Sequence, residues 1–520
     1  METNDPNQLP ETPLDGLRRY VPLLAWLLVF LVFPVIALKI IQYGYLPPDD
    51  ALRHAAKAVS GKPWPEILVV GPAFQIDHNF GWHAFLRQIH LWTHCNTDRL
   101  VVFSVVLLFT IVGWSALPWL RRPEAWLISF TAMALTSGVL GRLTMGRPFL
   151  LTISGLLIIL FVWQTRASDP PRWWTAVWMA LLIAICTFVH GVWYLWSLPV
   201  AAFFLAGEFR WGLALAAGWV AGVFLGSSFT GHPFESMYQA VVMADRAFDL
   251  HLTARTMAGE FQPSAGDALG LILLGGLLVL RQLAGLKARP LSTHPAFWLA
   301  VIAWVLSFKA VRFSEDWGWP ALMVLVTTDL QLFLESRFAA DSFKRLALVA
   351  ALTIVTFLAT TNDSGSRWTY NLTQQYLTSD NPDLAGWMPE KGGILYSSDM
   401  TIFYQTFFKN PNGDWRYIVG YEPALMPDED FRIYHKILWN LGDAKGYMPW
   451  VDKMRPEDRL VIRGGRGSPP NIPQLEWNYG VSGIWIGRLP RAHPAPGDAP
   501  ATIPATAPRD HSTHSTSVPE

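Results

Sequence analysis

Residues 21–41 read VPLLAWLLVFLVFPVIALKII, an almost entirely apolar run. About 20 residues of α-helix rise about 30 Å, the thickness of the hydrocarbon core of a bilayer. Arg18 and Arg19 precede the run, but it has neither the short apolar core nor the small-residue cleavage site of a removable signal peptide. The segment therefore predicts a first transmembrane helix that is retained as an anchor.

The same pattern recurs along two thirds of the chain. Hydrophobic residues make up 51% and charged residues 15% of the 520 residues, whereas soluble domains carry about 25% charged residues. Ten further apolar runs predict helices at 101–120, 124–141, 149–164, 173–190, 193–207, 211–229, 267–280, 295–310, 318–334 and 345–361. The predicted fold class is a polytopic α-helical membrane protein with about eleven transmembrane helices. The bilayer is its predicted partner, and a formal net charge of zero gives no argument for a nucleic-acid partner.

Basic residues in the short loops predict the orientation, because the side richer in Lys and Arg faces the cytoplasm. One set of alternate loops carries the larger number: Arg18, Arg19, Arg121, Arg122, Arg166, Arg172, Arg210, Arg281, Lys287, Arg289, Arg337, Lys344 and Arg345. The other set carries fewer: Arg142, Arg147, Arg246, Arg255, Lys309 and Arg312. The prediction is a plasma or inner membrane protein with a cytoplasmic N-terminus.

The predicted domain organisation follows from these crossings. Residues 1–20 are cytoplasmic, and residues 21–361 form the membrane domain, with external loops at 42–100 and 230–266. Residues 362–489 form an extracytoplasmic α/β domain, which has strand-like runs at 393–396, 415–419, 459–462 and 483–486 and a helix-like run at 427–441. Residues 490–520 are rich in Pro, Ala, Thr and Ser and are predicted to be disordered.

The first external loop opens with Asp49 and Asp50 at the start of an Ala-rich amphipathic helix, which is predicted to lie on the membrane surface. Its basic face carries Arg53, His54 and Lys57. One interpretation is structural, because Asp is a good N-cap and suits the first turn of a helix. The other is chemical, because a capping carboxylate is also held in place for proton transfer. The two interpretations are compatible.

The same loop continues with Asp77, His78 and His83. These residue types can bind a metal ion, but their spacing fits no strong metal motif. Surface histidines in an aqueous loop are the simpler interpretation. The two cysteines, Cys95 and Cys186, are too few for a disulfide framework or a cysteine-based metal site.

The plan of the chain resembles the GT-C class of membrane glycosyltransferases, in particular the protein O-mannosyltransferase and aminoarabinose transferase group. The resemblance lies in one helix, an external loop that opens with an acidic pair, about ten more helices and an external α/β domain. Asp49-Asp50-Ala-Leu-Arg-His-Ala is similar to the acidic motif of that group, although many members have Asp-Glu there. Residues 312–320, RFSEDWGWP, and 146–148, GRP, resemble two motifs at outer helix ends.

The resemblance implies transfer of a sugar from a polyprenyl-phosphate donor to an acceptor at the outer face of the membrane, and it identifies neither the sugar nor the acceptor. Asp49 would be the general base, with Asp50 as its orienting partner or as a ligand of a divalent cation such as Mg or Mn. The predicted residues for binding substrate and phosphate are Arg53, His54, Asp77, Arg142, Arg147, His190, Lys309, Arg312 and Asp316.

Three alternatives stay open at the level of sequence. Basic residues at helix ends often only reach for lipid headgroups. A transporter or flippase of a lipid-linked substrate is a second alternative, but transporters usually place charges near the bilayer midplane and show internal repeats. A non-catalytic assembly or receptor protein is a third, and it predicts that Asp49 and Asp50 are dispensable.

Overall fold

The computed structural model describes residues 13–135, 137–247, 268–465 and 467–490, and helix occupies each of the predicted apolar runs. The α-helices in chain order are α1 Pro13–Arg18, α2 Val21–Gln42, α3 Asp50–Ser60, α4 Trp64–Ile67, α5 Phe80–Thr93, α6 Thr97–Trp114, α7 Pro123–Ala134, α8 Ser137–Thr144, α9 Phe149–Arg166, α10 Trp173–Val189, α11 Ser197–Leu205, α12 Phe209–Ser228, α13 Pro233–Ala247, α14 Ala268–Leu283, α15 Pro295–Ser307, α16 Trp319–Arg337, α17 Phe343–Thr361, α18 Met400–Lys409, α19 Asp428–Trp439 and α20 Ala444–Val451.

Among the described residues, six helices are long and apolar enough to cross a membrane. They are Gly16–Gln42, Thr97–Trp119, Phe149–Arg166, Phe209–Ser228, Ser314–Arg337 and Phe343–Thr361. A seventh crossing results if α7 and α8, which are bent by 108° at the break between them, count as one span. Four apolar helices are shorter: Trp173–Val189, Trp193–Leu205, Gly270–Leu283 and Pro295–Ser307. A mostly helical protein with several membrane-suited helices is therefore confirmed, and six or seven spans meet the length criterion.

Ion pairs join the helix ends that the sequence assigns to the cytoplasm. The Arg345 guanidinium donates to both carboxylate oxygens of Glu124, at 2.7 and 3.0 Å. Arg289 forms an ion pair with Glu208. The loops and helix starts that carry these residues all belong to the predicted cytoplasmic side, so charged groups there compensate one another.

A five-stranded sheet forms the core of the C-terminal region, in the order β2-β1-β3-β5-β4. The strands are β1 Ile394–Tyr396, β2 Arg416–Tyr417, β3 Arg459–Arg463, β4 Glu476–Tyr479 and β5 Ile484–Arg488. β1 is parallel to β2 and β3, whereas β5 is antiparallel to β3 and β4. The small predicted sheet is confirmed. The sequence prediction missed β4 because this edge strand is largely exposed and shows no apolar run.

The C-terminal region, the first loop and α13 lie against each other. The Val69 amide donates to the Tyr417 carbonyl at 2.9 Å, which adds a short segment of the first loop to the edge of the sheet. Arg246 of α13 pairs with Asp428 of α19 at 2.8 Å. These contacts fix the C-terminal region over the start of α3.

α3 does not lie on a surface, contrary to the prediction. It packs against α5, α6 and α18, and its residues Arg53 and His54 are 5% and 0% exposed. No local pattern indicates that α18 packs against α3, because the two helices are about 350 residues apart along the chain. The N-terminal residues before 13, the part of the 230–266 loop after 247 and the predicted tail after 490 lie outside the described residues.

Candidate functional site

A cavity of about 540 Å³ lies where the first loop, several helix ends and the C-terminal region meet. Its lining residues come from distant parts of the chain: Pro48, Asp49, Asp50, Arg53, His78, Asn79, Gly138, Arg142, Met145, Arg147, His190, Gly191, Val192, Tyr194, Ala240, Met243, Val311, Arg312, Glu315, Met400, Thr401, Tyr404, Tyr421 and Glu422. Charged and aromatic side chains make up much of this wall.

Asp49 is the N-cap that the sequence suggested, and it also lines the cavity. It is the N-cap of α3, and its Oδ1 accepts a hydrogen bond from the Asp50 amide at 2.5 Å. Its Oδ2 accepts from Arg147 Nη2 at 2.6 Å. The capping bond thus holds the carboxylate while its second oxygen meets a cation.

Arg147 reaches the acidic pair because of the turn that carries it. Gly146 has φ +63°, and a Cβ there would lie 3.1 Å from the Cβ of Ala51 on α3. Glycine permits both this backbone conformation and the close approach. Arg147 Nε lies 3.1 Å from Asp50 Oδ2, and Arg53 Nε donates to Asp50 Oδ1 at 2.7 Å.

The electrostatic environment of Asp49 suits a group that exchanges protons. Burial raises the pKa of Asp49 above its ordinary value; Arg147 works against this shift and the adjacent Asp50 charge adds to it. The Asp49 side chain is 18% exposed, and it faces the cavity. A carboxyl group with a raised pKa in an accessible cavity is a good candidate for a general base.

A second cluster occupies another part of the wall. Arg142 Nε and Nη2 donate to the two oxygens of Asp316 at 2.6 and 2.7 Å, a bidentate pair. Arg312 Nε donates to the same carboxylate at 3.0 Å. Asp316 lies in a π-helical turn, Ser314–Gly318, which places its side chain, 1% exposed, behind the two arginines. Short π-helical segments are frequent at functional sites.

Three of the predicted loop residues form a buried hydrogen-bonded chain behind the wall. His83 Nδ1 lies 2.6 Å from Asp77 Oδ2, and His83 Nε2 lies 2.7 Å from His54 Nδ1. Burial raises the pKa of Asp77, but the interactions with His83, Lys57 and the Asn79 amide together outweigh burial, and the pKa lies below its ordinary value. Burial lowers the pKa of both His54 and His83. These three hydrogen-bonded side chains are thus an anionic carboxylate followed by two neutral imidazoles.

The described residues contain no group of three or more His, Cys, Asp or Glu side chains placed to hold a metal ion. Mg and Mn prefer carboxylate and water oxygens. Here the oxygens of Asp49 and Asp50 face the guanidinium groups of Arg147 and Arg53. In this arrangement guanidinium groups compensate the charge of both carboxylates.

The structure gathers most of the predicted site residues into one place. The cavity is lined by Asp49, Asp50, Arg53, Arg142, Arg147, His190 and Arg312. Asp316 supports two of these arginines from behind, and His54 on α3 is linked to Asp77 through His83. Lys309 is exposed and does not line the cavity. It lies in the turn after α15, two residues before the chain enters the wall at Val311.

Sequence reasoning missed the contribution of the C-terminal region. Met400, Thr401, Tyr404, Tyr421 and Glu422 line the cavity, although no motif marked them. The one sequence feature that could have indicated them is the aromatic content of the region, and aromatic residues are equally typical of an ordinary hydrophobic core.

No protein-family model matches this chain, and the search of curated proteins finds no similar protein.

Proposed function

We propose that this protein is a membrane glycosyltransferase that moves a sugar from a polyprenyl-phosphate donor to an acceptor at the outer face of the membrane. The observation that carries the proposal is one cavity in which the Asp49–Asp50 pair adjoins Arg53 and Arg147 and in which Arg142 and Arg312 form a second cationic group. An enzyme that activates a hydroxyl group and releases a lipid phosphate needs both kinds of group.

Asp49 is the proposed general base. The acceptor hydroxyl oxygen forms a bond to the anomeric carbon, its proton passes to Asp49 Oδ2, and the bond from the anomeric carbon to the phosphate oxygen breaks. The capping hydrogen bond to the Asp50 amide fixes the orientation of the carboxylate. Arg147 lies beside the same oxygen, at 2.6 Å, and stabilises the charged form that must be present before the reaction.

The arginines are the proposed phosphate site. The leaving lipid phosphate gains negative charge, and guanidinium groups suit phosphate oxygens because they offer several donors in one plane. Arg53 Nη1 is buried and has no hydrogen-bond partner in the described part of the chain, although Arg53 lines the cavity. Such a donor is costly to leave unpaired, and a substrate oxygen would satisfy it.

All eleven apolar helical segments are proposed to cross the membrane, with the cavity on the extracytoplasmic side. The connections between consecutive segments support this. Every second connection contributes residues to the cavity wall. The other connections carry, or lie beside, two ion pairs, Arg345 with Glu124 and Arg289 with Glu208. Consecutive crossings require this alternation. The connections that carry these ion pairs are also the ones richer in Lys and Arg, which supports a cytoplasmic location for them.

The test is sugar transfer in membranes that contain either the wild type or the Asp49→Asn variant, supplied with radiolabelled polyprenyl-phosphate sugars. Loss of a general base costs about 10²- to 10⁴-fold in rate, so we expect at least about a 100-fold loss of transfer with unchanged amounts of protein in the membrane. Asp245→Asn is the matched control, because Asp245 is exposed and does not line the cavity. Equal transfer by wild type and Asp49→Asn would remove Asp49 from the mechanism and favour a binding or assembly role.

A further inference from the structure

Two histidines line the cavity, and the proposed sugar transfer gives neither of them a role. His78 belongs to the first loop and His190 follows the end of α10. Two hydrogen bonds join the segments that carry them: the Gly191 amide donates to the His78 carbonyl at 2.9 Å, and the Asn79 side chain donates through Nδ2 to the Val189 carbonyl at 3.3 Å.

The tautomer of His78 follows from the hydrogen bonds of Gln239. Gln239 Oε1 accepts from the Ile76 amide at 3.0 Å, and Gln239 Nε2 donates to the Ile76 carbonyl at 2.7 Å. These two bonds fix which end of the Gln239 side chain is the amide nitrogen. Gln239 Nε2 lies 3.0 Å from His78 Nε2 and donates its second hydrogen there. Because His78 Nε2 is the acceptor, a neutral His78 carries its proton on Nδ1.

The Nδ1 atom of His78 faces the glycine that follows His190. A Cβ at Gly191 would lie 3.3 Å from His78 Nδ1 and 3.1 Å from the His78 carbonyl oxygen. The absence of a side chain at Gly191 therefore leaves the Nδ1–H group of His78 open beside the cavity. His190 Nδ1 is buried and has no hydrogen-bond partner among the described residues.

Both rings are uncharged near neutral pH, so they do not form an anion site. Burial lowers the pKa of His78 to about 4. Burial, followed by the positive charge of Arg312, lowers the pKa of His190 well below its ordinary value. A neutral imidazole has one donor and one acceptor. Because His78 Nε2 already accepts from Gln239, His78 offers its Nδ1–H group as a donor, and Nδ1 of His190 is a second imidazole atom without a partner among the described residues. A hydroxyl group can both donate and accept. The pair suits hydroxyl groups better than phosphate.

The tyrosines of the C-terminal region add aromatic surface to the same cavity. Tyr404 and Tyr421 line it, and the Arg53 guanidinium lies 4.0 Å from the centre of the Tyr421 ring. Polar groups that fix orientation, combined with aromatic walls, are typical of sites for small polar ligands.

We infer that His78 and His190 form the hydroxyl-binding subsite for the sugar ring of the donor, with Gln239 as the positioning residue that sets the tautomer of His78. The inference rests on the proposed function and adds the residues that recognise the sugar as distinct from its phosphate. The arginines would hold the phosphate of every polyprenyl-phosphate lipid, whereas the histidines contact only those lipids that carry a sugar.

The test compares the binding of two lipids to the purified full-length protein in nanodiscs at pH 7.5. One is decaprenyl phosphate without a sugar, and the other is the pooled sugar-bearing fraction of the polyprenyl-phosphate lipids extracted from the source membrane. The variants are His78→Ala, His190→Ala, Gln239→Leu and Arg312→Gln, with His232→Ala as the control. His232 is exposed and pairs only with the exposed Glu235 in the described structure.

We expect the wild type to bind the sugar-bearing lipid more tightly than the bare lipid phosphate. The variants at His78, His190 and Gln239 should each lose about three- to tenfold in affinity for the sugar-bearing lipid, the range of one or two hydrogen bonds. Their affinity for the bare lipid should not change, whereas Arg312→Gln should weaken both. A general folding defect would not produce this selectivity. Gly191→Ala is a further variant that crowds His78 Nδ1 without removing a buried group, and the same selective loss is expected.

Two contrary results have different meanings. If the wild type prefers the sugar-bearing lipid and the variants at His78, His190, Gln239 and Gly191 keep that preference, the subsite is wrong while the proposed function stands. If the wild type binds the sugar-bearing lipid no more tightly than the bare phosphate, the proposed function fails, and the subsite fails with it.

Discussion

Asp49 uses its two carboxylate oxygens differently. One accepts the capping hydrogen bond from the Asp50 amide, and the other meets Arg147. The sequence suggested the cap and the acidic pair, since both depend on neighbouring residues. Arg147 was among the predicted cationic partners, but which of them meets Asp49 has no local signal, because Arg147 is brought to α3 by a glycine turn about 100 residues further along the chain.

The observed burial of the histidines differs more from the sequence prediction than the environment of Asp49 does. The simpler interpretation placed them on a surface, but His54, His78 and His83 are at most 8% exposed. A histidine in a polar loop shows no local sign of burial, which here comes from α13 and from the packing of α3 on α5. Their polar neighbours, Asp77 and Gln239, compensate for part of the cost of burial.

These neutral histidines predict a loss of stability in acid. In the unfolded chain a histidine titrates near pH 6.5, whereas burial lowers the folded pKa of His78 to about 4. Above pH 6.5 both states are neutral, so the residue adds no pH dependence. As the pH falls from 6.5 towards 4, the unfolded state binds a proton that the folded state does not, and the free energy of unfolding decreases. His54, His83 and His190 act in the same direction.

The measurement is the melting temperature of the purified protein at pH 7.5 and pH 5.0, followed by the intrinsic fluorescence of its 26 tryptophans. The wild type should melt at a lower temperature at pH 5.0. His78→Asn lacks the titrating group, so its melting temperature should drop by less between the two pH values, and His232→Asn should behave as the wild type does. An equal drop in His78→Asn would show that His78 is not held neutral in the folded state.

Among the elements, the π-helical turn Ser314–Gly318 has the clearest structural role. It turns Asp316 inward, where its carboxylate accepts hydrogen bonds from Arg142 of α8 and from Arg312, which lies two residues before the turn. The sequence placed these residues at an outer helix end but did not indicate the turn. Residues 314–318, SEDWG, also resemble a loop in sequence, because they are polar and include a glycine, and the ion pairs that Asp316 forms join it to residues outside this turn.

The turn predicts a strong effect of Asp316→Asn. Removal of one partner from a buried ion pair costs about 3–5 kcal/mol, because the remaining charge stays buried without compensation. We expect the variant to melt at a clearly lower temperature than the wild type and to lose sugar transfer with it. Asp341→Asn is the control, because Asp341 is exposed beyond the other end of α16. An unchanged melting temperature in Asp316→Asn would show that the two arginines do not depend on this carboxylate.

The helices and strands could be predicted to different extents. Each apolar run is helical because about 20 apolar residues have few alternatives in a membrane. Among the strands, β1, β3 and β5 have buried apolar residues and could be recognised, whereas β4 could not. α18 was missed because the aromatic and β-branched residues of its run, MTIFYQTFFK, favour strand.

At the scale of the whole molecule, the site depends on three segments outside the predicted membrane crossings. The first loop supplies the acidic pair, α13 supplies Gln239, and the C-terminal region supplies Tyr404 and Tyr421. Their meeting is a long-range contact with no local signal, so the sequence could place most cationic and acidic groups of the site but not its aromatic wall. Lys309 was predicted to belong to the site because it lies at a helix end, but it is exposed and does not line the cavity. A position at a helix end is therefore not enough to predict a site residue.

The central claim is that this cavity takes a sugar from a polyprenyl-phosphate lipid by means of Asp49. The most direct measurement is mass spectrometry of the polyprenyl-phosphate lipids in a total lipid extract of the source membrane, after incubation with purified wild type or Asp49→Asn and an extract that contains the acceptors. The readout is the same whichever sugar the donor carries. One sugar-bearing species should decrease and bare polyprenyl phosphate should increase with the wild type only. No change in any such lipid, or an equal change with Asp49→Asn, would contradict the account.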